Sequence, residues 1–463
     1  MSAGIDRSIL REYDIRGIVG RTLNAADATG IGRAFAQVVL GSGGHSVAVG
    51  RDGRLSSPML EAALVEGLRD AGCDVLRIGA GPTPMLYFAE RAIDGVDGGI
   101  EVTGSHNPPD HNGFKLQLRG RPFFGPDILG LDALARSAPV AAARRGRIET
   151  TDVLPAYVEA LLGALRGLDP AALAGLRIGW DAGHGAAGPV IEALVARLPG
   201  EHHLLYTSMD GRFPAHHPDP SVAANLADLQ RLVGEKRLDC GFAFDGDGDR
   251  LGVIDGEGRI IRSDLLLLIY AEDLLQRHPG ASVIADVKAS QAVFDGLAAM
   301  GARPQMARTG HSNIKARMQE SGALLGGEMT GHLFFAEAWY GFDDAIHAAL
   351  RLIAASLRLG RPVAGLHDGL PRPVNTDELR FAIAEDRKAA AMAAVARRLA
   401  ARGAKAITLD GLRVTTADGW WLLRTSNTEA ALVARAEARD AAGLARVLVE
   451  LYAELAVVGI TRA

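Results

Sequence analysis

Apolar and polar positions alternate along this chain with two periods, and the order of the periods repeats. Ser46-Val47-Ala48-Val49 and the run from Cys73 to Ile78 are short apolar stretches, which predicts two strands. Between them Met59, Leu60, Ala63, Leu64 and Leu68 recur at helical spacing. Ser57 reads as the cap of that helix and Pro58 as its first residue. A second block starts after the basic stretch Arg144-Arg145-Gly146-Arg147, with a strand over Arg177 to Trp180, a glycine-rich turn and a helix from Val190 to Leu198. A third holds a strand over Val283 to Val287 and a helix from Ser290 to Met300. Alternation of this kind predicts α/β layers with mixed or mostly parallel sheets. From about Pro371 the pattern changes to a charged, alanine-rich helix over 385–402, short strands around Ile407, Val414, Leu422 and Leu432, and an amphipathic closing helix. The expected organisation is three similar mixed-sheet α/β domains, 1–147, 148–253 and 254–368, then a smaller α+β domain, 369–463. No internal sequence repeat is obvious, although three similar blocks allow a structural one.

The 463 residues are too many for one core, which agrees with several domains. Fifty basic against fifty-five acidic side chains give a net charge of −5, which offers no support for a nucleic-acid partner. Cys73 and Cys240 each lie inside an apolar run; two cysteines make no disulfide scaffold, and buried free thiols are expected. The opening MSAGIDRSILREYDIRG has no apolar signal core, and no stretch reaches the length of a membrane span. The expectation is a cytoplasmic protein without a membrane partner.

The chemistry concentrates in a few turns. In VTGSHNPPDHNGFKL, the strand Ile100-Glu101-Val102 delivers Ser105 and His106 onto an exposed turn shaped by Gly104, Asn107 and two prolines, with Lys115 ten residues beyond the serine. A serine displayed beside a cation can act as a nucleophile or carry a phosphoryl group; an ordinary Asn-Pro surface turn is the plain alternative. Asp245-Gly246-Asp247-Gly248-Asp249-Arg250 follows the apolar run Gly241 to Phe244. Three carboxylates spaced by glycines can surround one hard cation, and oxygen-only ligands favour Mg²⁺ or Ca²⁺ over zinc. An EF-hand fails, because its sixth and twelfth places hold Arg250 and Gly256 in place of Gly and Glu. Mg²⁺ leaves coordination places for phosphate oxygens, which suits a phosphoryl-bearing partner. Arg424-Thr425-Ser426-Asn427-Thr428 joins a guanidinium, hydroxyls and an amide, a grouping fit for phosphate recognition. Lys288 and His311 lie at strand-to-loop junctions, where open α/β sheets bind ligands. Gly183 to Gly188, with Asp210 some twenty residues on, fits a dinucleotide fingerprint and opens a different reading, an NAD-dependent oxidoreductase. With 56 glycines in the chain such matches arise by chance, and a turn that only brings helix and strand together is the competing account.

Taken together these runs resemble the active site of the α-D-phosphohexomutases, most nearly the phosphomannomutase/phosphoglucomutase branch, in the same order and nearly end to end. Arg11-Glu12-Tyr13-Asp14-Ile15-Arg16-Gly17 resembles the family's amino-terminal site segment, the Ser105 turn its phosphoserine loop and Asp245 to Arg250 its metal loop. Gly327-Glu328-Met329-Thr330-Gly331-His332 resembles its sugar-specificity loop and Arg424 to Glu429 its phosphate-binding loop. The resemblance implies an active site in a central cleft and transfer of phosphate between the 1- and 6-hydroxyls of a hexose. Phosphoserine at Ser105 and a hexose 1,6-bisphosphate intermediate are implied with it. It implies Mg²⁺ on Ser105, Asp245, Asp247 and Asp249, and glucose 1,6-bisphosphate as activator. Lys115, His106, Arg16 and His332 are the implied catalytic set. Tyr13, Arg16, Arg250, Lys288, His311, Glu328, Thr330, His332, Arg424, Ser426, Asn427 and Thr428 are implied to bind the substrate. Hexose phosphates of mannose, glucose or both are the expected partners, of a monomer. Thr330 stands where serine is usual and Ala338 where arginine is commoner, which bears on fine specificity. A phosphoglucosamine mutase and a metal-dependent sugar phosphatase are the neighbouring alternatives.

Overall fold

The computed structural model describes residues 5–137, 142, 144–426 and 430–460. Its strands fall into four sheets, and three of these share one topology. In the first, Ser46–Arg51 pairs in parallel with both Asp74–Ala80 and Gly98–Val102, and His111–Leu118 runs antiparallel beside Gly98–Val102. In the second, Arg177–Asp181, Glu201–Leu205 and Cys240–Phe244 are parallel, and Leu251–Asp255 returns antiparallel. In the third, Ser282–Asp286, Arg303–Ala307 and Leu325–Gly327 are parallel, and Leu333–Phe335 returns. Each sheet therefore lays its own four core strands in the order fourth, third, first, second. The sequence shows no repeat, yet the backbone carries one. Edge strands extend the first two sheets: Ile15–Ile18 and Ile148–Thr150 in the first, Ile260–Ile261 in the second. The fourth sheet is antiparallel and is backed by the helices Glu385–Ala401 and Ala441–Val457. The fold is thus three mixed-sheet α/β units and a C-terminal α+β unit.

The fourth-third-first-second order has a consequence for the site. The turn from the last parallel strand to its antiparallel neighbour sits at the same corner of each unit. In chain order these turns are 103–110, 245–250 and 328–332, and in the fourth sheet the corresponding hairpin turn joins Gly419–Thr425 to Ala431–Ala438. The first three motifs are one architectural element used three times, whereas Arg424 lies near the end of a strand in an all-antiparallel sheet.

Apolar burial explains why the units hold together. The first sheet encloses its own core around Phe35, Phe114 and Ile100. A larger core runs continuously from the helix Thr83–Ala92 of the first unit through Trp180, Phe242 and Leu266 into the helix Ala345–Leu359 of the third. Burying one such side chain contributes on the order of 1.5–3 kcal/mol. The helix after the first strand spans Ser57–Asp70, with Ser56 at the cap position rather than Ser57. The Ser57 hydroxyl is directed elsewhere, donating to Asp52 at 2.5 Å. Cys73 and Cys240 are buried and free, and burial pushes the Cys73 thiol up to about 12, which keeps it protonated and unreactive. Among the described residues no helix is long and apolar enough to cross a membrane.

Candidate active site

The first three turns meet at one place, and Arg424 of the fourth unit reaches it through Tyr13. Ser105 adopts a left-handed backbone, φ 48°, at the end of a strand that is buried along its whole length. Its hydroxyl donates to Asp245 Oδ2 at 2.9 Å and lies 3.1 Å from His106 Nδ1. Only 1% of Ser105 is exposed, so the expectation of an exposed turn is corrected. Glycine, asparagine and proline report the sharpness of a turn but not its depth, and here the aspartate loop of the second unit covers it. Gly246 makes that approach possible, since a Cβ there would come within 2.3 Å of the Ser105 carbonyl oxygen.

Asp245, Asp247 and Asp249 are fully buried, and ligand oxygens from all three lie within 4.8 Å of one another. Lys115 reaches across from the first sheet, 2.7 Å from Asp247 Oδ2 and in close contact with Asp249 Oδ2. Thr83 adds a hydroxyl donor to Asp247 at 2.5 Å. Burial and the two neighbouring carboxylates push Asp245 well above the ordinary carboxylate range. Burial also opposes charge on Asp247, but Lys115 and Arg16 outweigh it and hold that carboxyl low. Burial likewise opposes charge on Lys115, and Asp247 and Asp249 overcome it, so the ammonium stays protonated. Oδ1 of Asp247 and Oδ1 of Asp249 are buried without a hydrogen-bond partner. Buried carboxylate oxygens left over beside an all-oxygen donor set are what a hard divalent cation would satisfy, so these residues fit Mg²⁺.

Cations line the rest of the pocket. Arg16 donates from Nε to Asp14 at 2.8 Å and from Nη1 to the Thr103 carbonyl at 3.3 Å, just before Ser105. Arg250 donates to His332 Nε2 at 3.0 Å, which joins the second turn to the third. His332 Nδ1 lies 3.0 Å from Asp343 Oδ2, its ring stacks on His311 at 5.3 Å, and His311 Nδ1 lies 3.3 Å from the same carboxylate. The surrounding protein, then the Arg250 and Arg16 charges, hold His106 well below the ordinary imidazole range, so it is neutral.

On the facing side, the Glu328 carboxylate accepts from the Gly310 N–H at 2.5 Å, and Thr330 is half-buried one residue before Gly331. Lys288 is nearly buried, with Nζ 4.0 Å from Asp286 Oδ2. Burial raises the Asp286 carboxyl to about 6, against the pull of Lys288. Arg424 pairs with Asp410 at 3.3 Å and is hydrogen-bonded to Tyr13, whose ring packs on Gly310. Ser426 is buried, and its carbonyl accepts from Lys388 at 2.8 Å. Asn427 and Thr428 lie outside the described residues. Ala338 sits outside this group, exposed and with φ 57°.

The Gly183–Gly188 turn has a structural use. Ala186 N donates to the Gly246 carbonyl at 2.9 Å, so the turn props the aspartate loop from behind. A Cβ at Gly188 would meet the Thr207 carbonyl at 1.8 Å, which is the close helix–strand approach. Asp210 is engaged by Arg212 at 2.5 Å.

Sequence reasoning missed Arg54. Its guanidinium is fully buried and donates to four carbonyls of the serine loop: Ser105 at 2.7 Å, Asn107 at 2.5 Å, Pro108 at 2.6 Å and His111 at 2.9 Å. Asp52 completes the clamp, accepting from Thr103 Oγ1 at 2.8 Å and Gly104 N at 3.1 Å. Phe213, from the second unit, covers the guanidinium at 5.1 Å. The signal was local: Arg51-Asp52-Gly53-Arg54 is a charged turn at a strand's carboxyl end, the same kind of junction that singled out Lys288.

Comparison with known proteins matches all four units. The family models for phosphoglucomutase/phosphomannomutase alpha/beta/alpha domains I, II and III cover residues 7–132, 155–258 and 262–374, and that for the C-terminal domain covers 378–454. The phosphomannomutase/phosphoglucomutase of Pseudomonas putida is 42% identical over 445 residues, 96% of this chain and 95% of that one. A phosphoglucomutase of Neisseria gonorrhoeae is 42% identical over 449 residues, 96% of each chain. The crystal structure of a phosphoglucomutase/phosphomannomutase family protein from Burkholderia thailandensis superposes with a TM-score of 0.91 at 43% identity, over 98% of both chains.

Proposed function

Because this chain belongs to the phosphoglucomutase/phosphomannomutase family of isomerases, we propose that it interconverts hexose 1-phosphate and hexose 6-phosphate, of mannose, glucose or both. Phosphate is carried on Ser105, and a hexose 1,6-bisphosphate is the intermediate. The observation that carries this reading is the Ser105 hydroxyl 2.9 Å from Asp245, buried between a three-carboxylate group and a ring of cations.

In the first transfer the free sugar hydroxyl attacks phosphorus and the bond to Ser105 Oγ breaks. The hydroxyl proton passes to the protein, and the sugar leaves as bisphosphate within the cleft. After it turns over, the other phosphate returns to Ser105 and the proton goes back to the oxygen released. Three groups stand within reach of such a proton. His106 is neutral and 3.1 Å from the serine oxygen, Lys115 is a cation pinned between Asp247 and Asp249, and His332 is fixed between Arg250 and Asp343. Arg16, Arg250 and Lys115 offset the negative charge of phosphoserine, which is about −1.5 to −2. Mg²⁺ held by Asp245, Asp247, Asp249 and a phosphoserine oxygen would supply charge neutralisation at the transferring group.

Glu328 and Thr330 contact the sugar's 3- and 4-hydroxyls, which glucose and mannose share. Tyr13, Lys288, His311 and the Arg424 turn, through Ser426, Asn427 and Thr428, hold the phosphate that does not react. Glucose 1,6-bisphosphate reloads Ser105 when an intermediate escapes. The functional units keep the limits 1–147, 148–253, 254–368 and 369–463, and the enzyme acts as a cytoplasmic monomer.

The decisive experiment is the intact mass of the purified protein. An extra mass of about 80 Da on Ser105, lost on adding hexose phosphate, is the expected result; a mass indifferent to substrate refutes the scheme.

A further inference from the structure

The segment from Val287 to Gln291 leaves the strand Ser282–Asp286, enters the helix Gln291–Ala299 and carries Lys288. Its polar groups are largely served by the fourth unit. Arg413 Nη1 donates to the carbonyls of Val287 at 2.5 Å and Ala289 at 2.8 Å, one on each side of Lys288, and Nη2 donates to Gln291 Oε1 at 3.2 Å. Glu437 Oε1 accepts from Ser290 Oγ at 2.8 Å, from Gln291 N at 3.0 Å and from Trp420 Nε1 at 2.9 Å. The Trp420 ring lies 3.6 Å from the guanidinium carbon, and Val287 packs against Trp420 and Leu422.

The planar guanidinium, with Nη1 on both carbonyls and Nη2 on Gln291, fixes the peptide planes before Lys288 and after Ala289, which leaves the lysine Cα little freedom. Arg413 is 2% exposed, and its Nη groups are taken up by Val287, Ala289 and Gln291, so its hold is on this segment. Trp420 and Arg424 belong to the same strand, Gly419–Thr425, so the anion-binding end of that strand and the grip on Lys288 are one rigid piece.

We propose that Arg413 is a positioning residue: reaching over from the fourth unit, it sets the backbone under Lys288 so that the lysine ammonium meets the sugar phosphate. This rests on the substrate class proposed above. Arg413 acts only through Lys288.

A double-mutant cycle tests it, read as the dissociation constant of glucose 6-phosphate by titration calorimetry on the full chain. Arg413→Lys keeps the charge but loses the fork, and should weaken binding about tenfold. In a Lys288→Met background the same change should cost less than about twofold. Equal factors in both backgrounds, or wild-type affinity in Arg413→Lys, overturn the proposal. If Arg413→Lys does not fold, Trp420→Leu removes the plate beneath the guanidinium and enters the same cycle with the same expectation. Turnover of the unmodified enzyme reports separately on the activity, because the cycle is decided by binding alone.

Discussion

Ser105 and Asp245 stand 140 positions apart in the chain and 2.9 Å apart in the fold, joined by the serine hydroxyl. Ser105→Ala removes one neutral donor, which costs about 1 kcal/mol of stability. Turnover should fall by several orders of magnitude, while the melting transition stays close to that of the parent. Added glucose 1,6-bisphosphate should not restore it, since nothing remains to accept phosphate. Parent-like flux in this variant would contradict the phosphoserine scheme.

Asp245 also offers the cleanest test of the metal. Its Oδ1 accepts from the Asp249 and Arg250 N–H groups at 3.0 and 3.1 Å, roles an amide oxygen can keep. Asp245→Asn should therefore fold and lose Mg²⁺-dependent activity. Asp247→Asn and Asp249→Asn each strip a partner from buried Lys115, so both should also lose stability, by up to about 3–5 kcal/mol. Ca²⁺, less exacting in geometry, should occupy the site and support little turnover. Full activity of chelated enzyme without added metal rules the site out.

Glu328→Gln keeps the shape of the 328–332 turn and the acceptor for Gly310 N–H, but trades a carboxylate for an amide. Losses in kcat/KM should be similar for glucose and mannose phosphates. A large loss with one epimer alone would place Glu328 at the 2-hydroxyl.

Arg424→Ala should weaken 1-phosphate and 6-phosphate substrates alike, by about 2–5 kcal/mol for a buried charge pair. In the proposed scheme the non-reacting phosphate is held in one place in both orientations, so one clamp would serve both. Free bisphosphate should also accumulate during turnover. Unchanged Michaelis constants, or an effect in one direction only, would break the shared-clamp idea.

Asp344 links pH to stability. It is fully buried, caps the helix Ala345–Leu359 and accepts from Tyr157 at 2.8 Å, and burial raises its carboxyl to about 7. A raised carboxyl binds its proton more tightly when folded. Its contribution is therefore present in full below the unfolded value near 3.9 and is lost as pH rises through about 7, roughly 4 kcal/mol in all. Asp344→Asn imitates the protonated form, so its stability advantage in urea should be small at pH 4 and grow towards pH 8. Parallel pH profiles for the two proteins would show that Asp344 does not titrate there.

The sequence made the four motif turns and the α/β alternation readable because each is written locally, as a strand followed by glycines and charged residues. What it hid is long-range. Arg54 contacts residues 51 to 57 positions away, Thr83 reaches Asp247, and Arg413 grips a loop 124 and 126 positions earlier; no spacing rule joins such pairs. The depth of Ser105 was misjudged for the same reason, because its cover comes from another unit. Three similar α/β units were legible, but their shared strand order was not, since strand order in a sheet leaves no mark on residue identity.

The Arg54 clamp bears on how freely the serine loop could be moved to another protein. With four carbonyls turned towards one buried guanidinium, the loop is shaped from outside itself. Transplanted alone, residues 103–111 would carry those carbonyls without their donor, and the left-handed Ser105 would have nothing to hold it. The smallest portable piece includes the Asp52–Arg54 turn on the neighbouring strand, together with an aromatic cover in the place of Phe213.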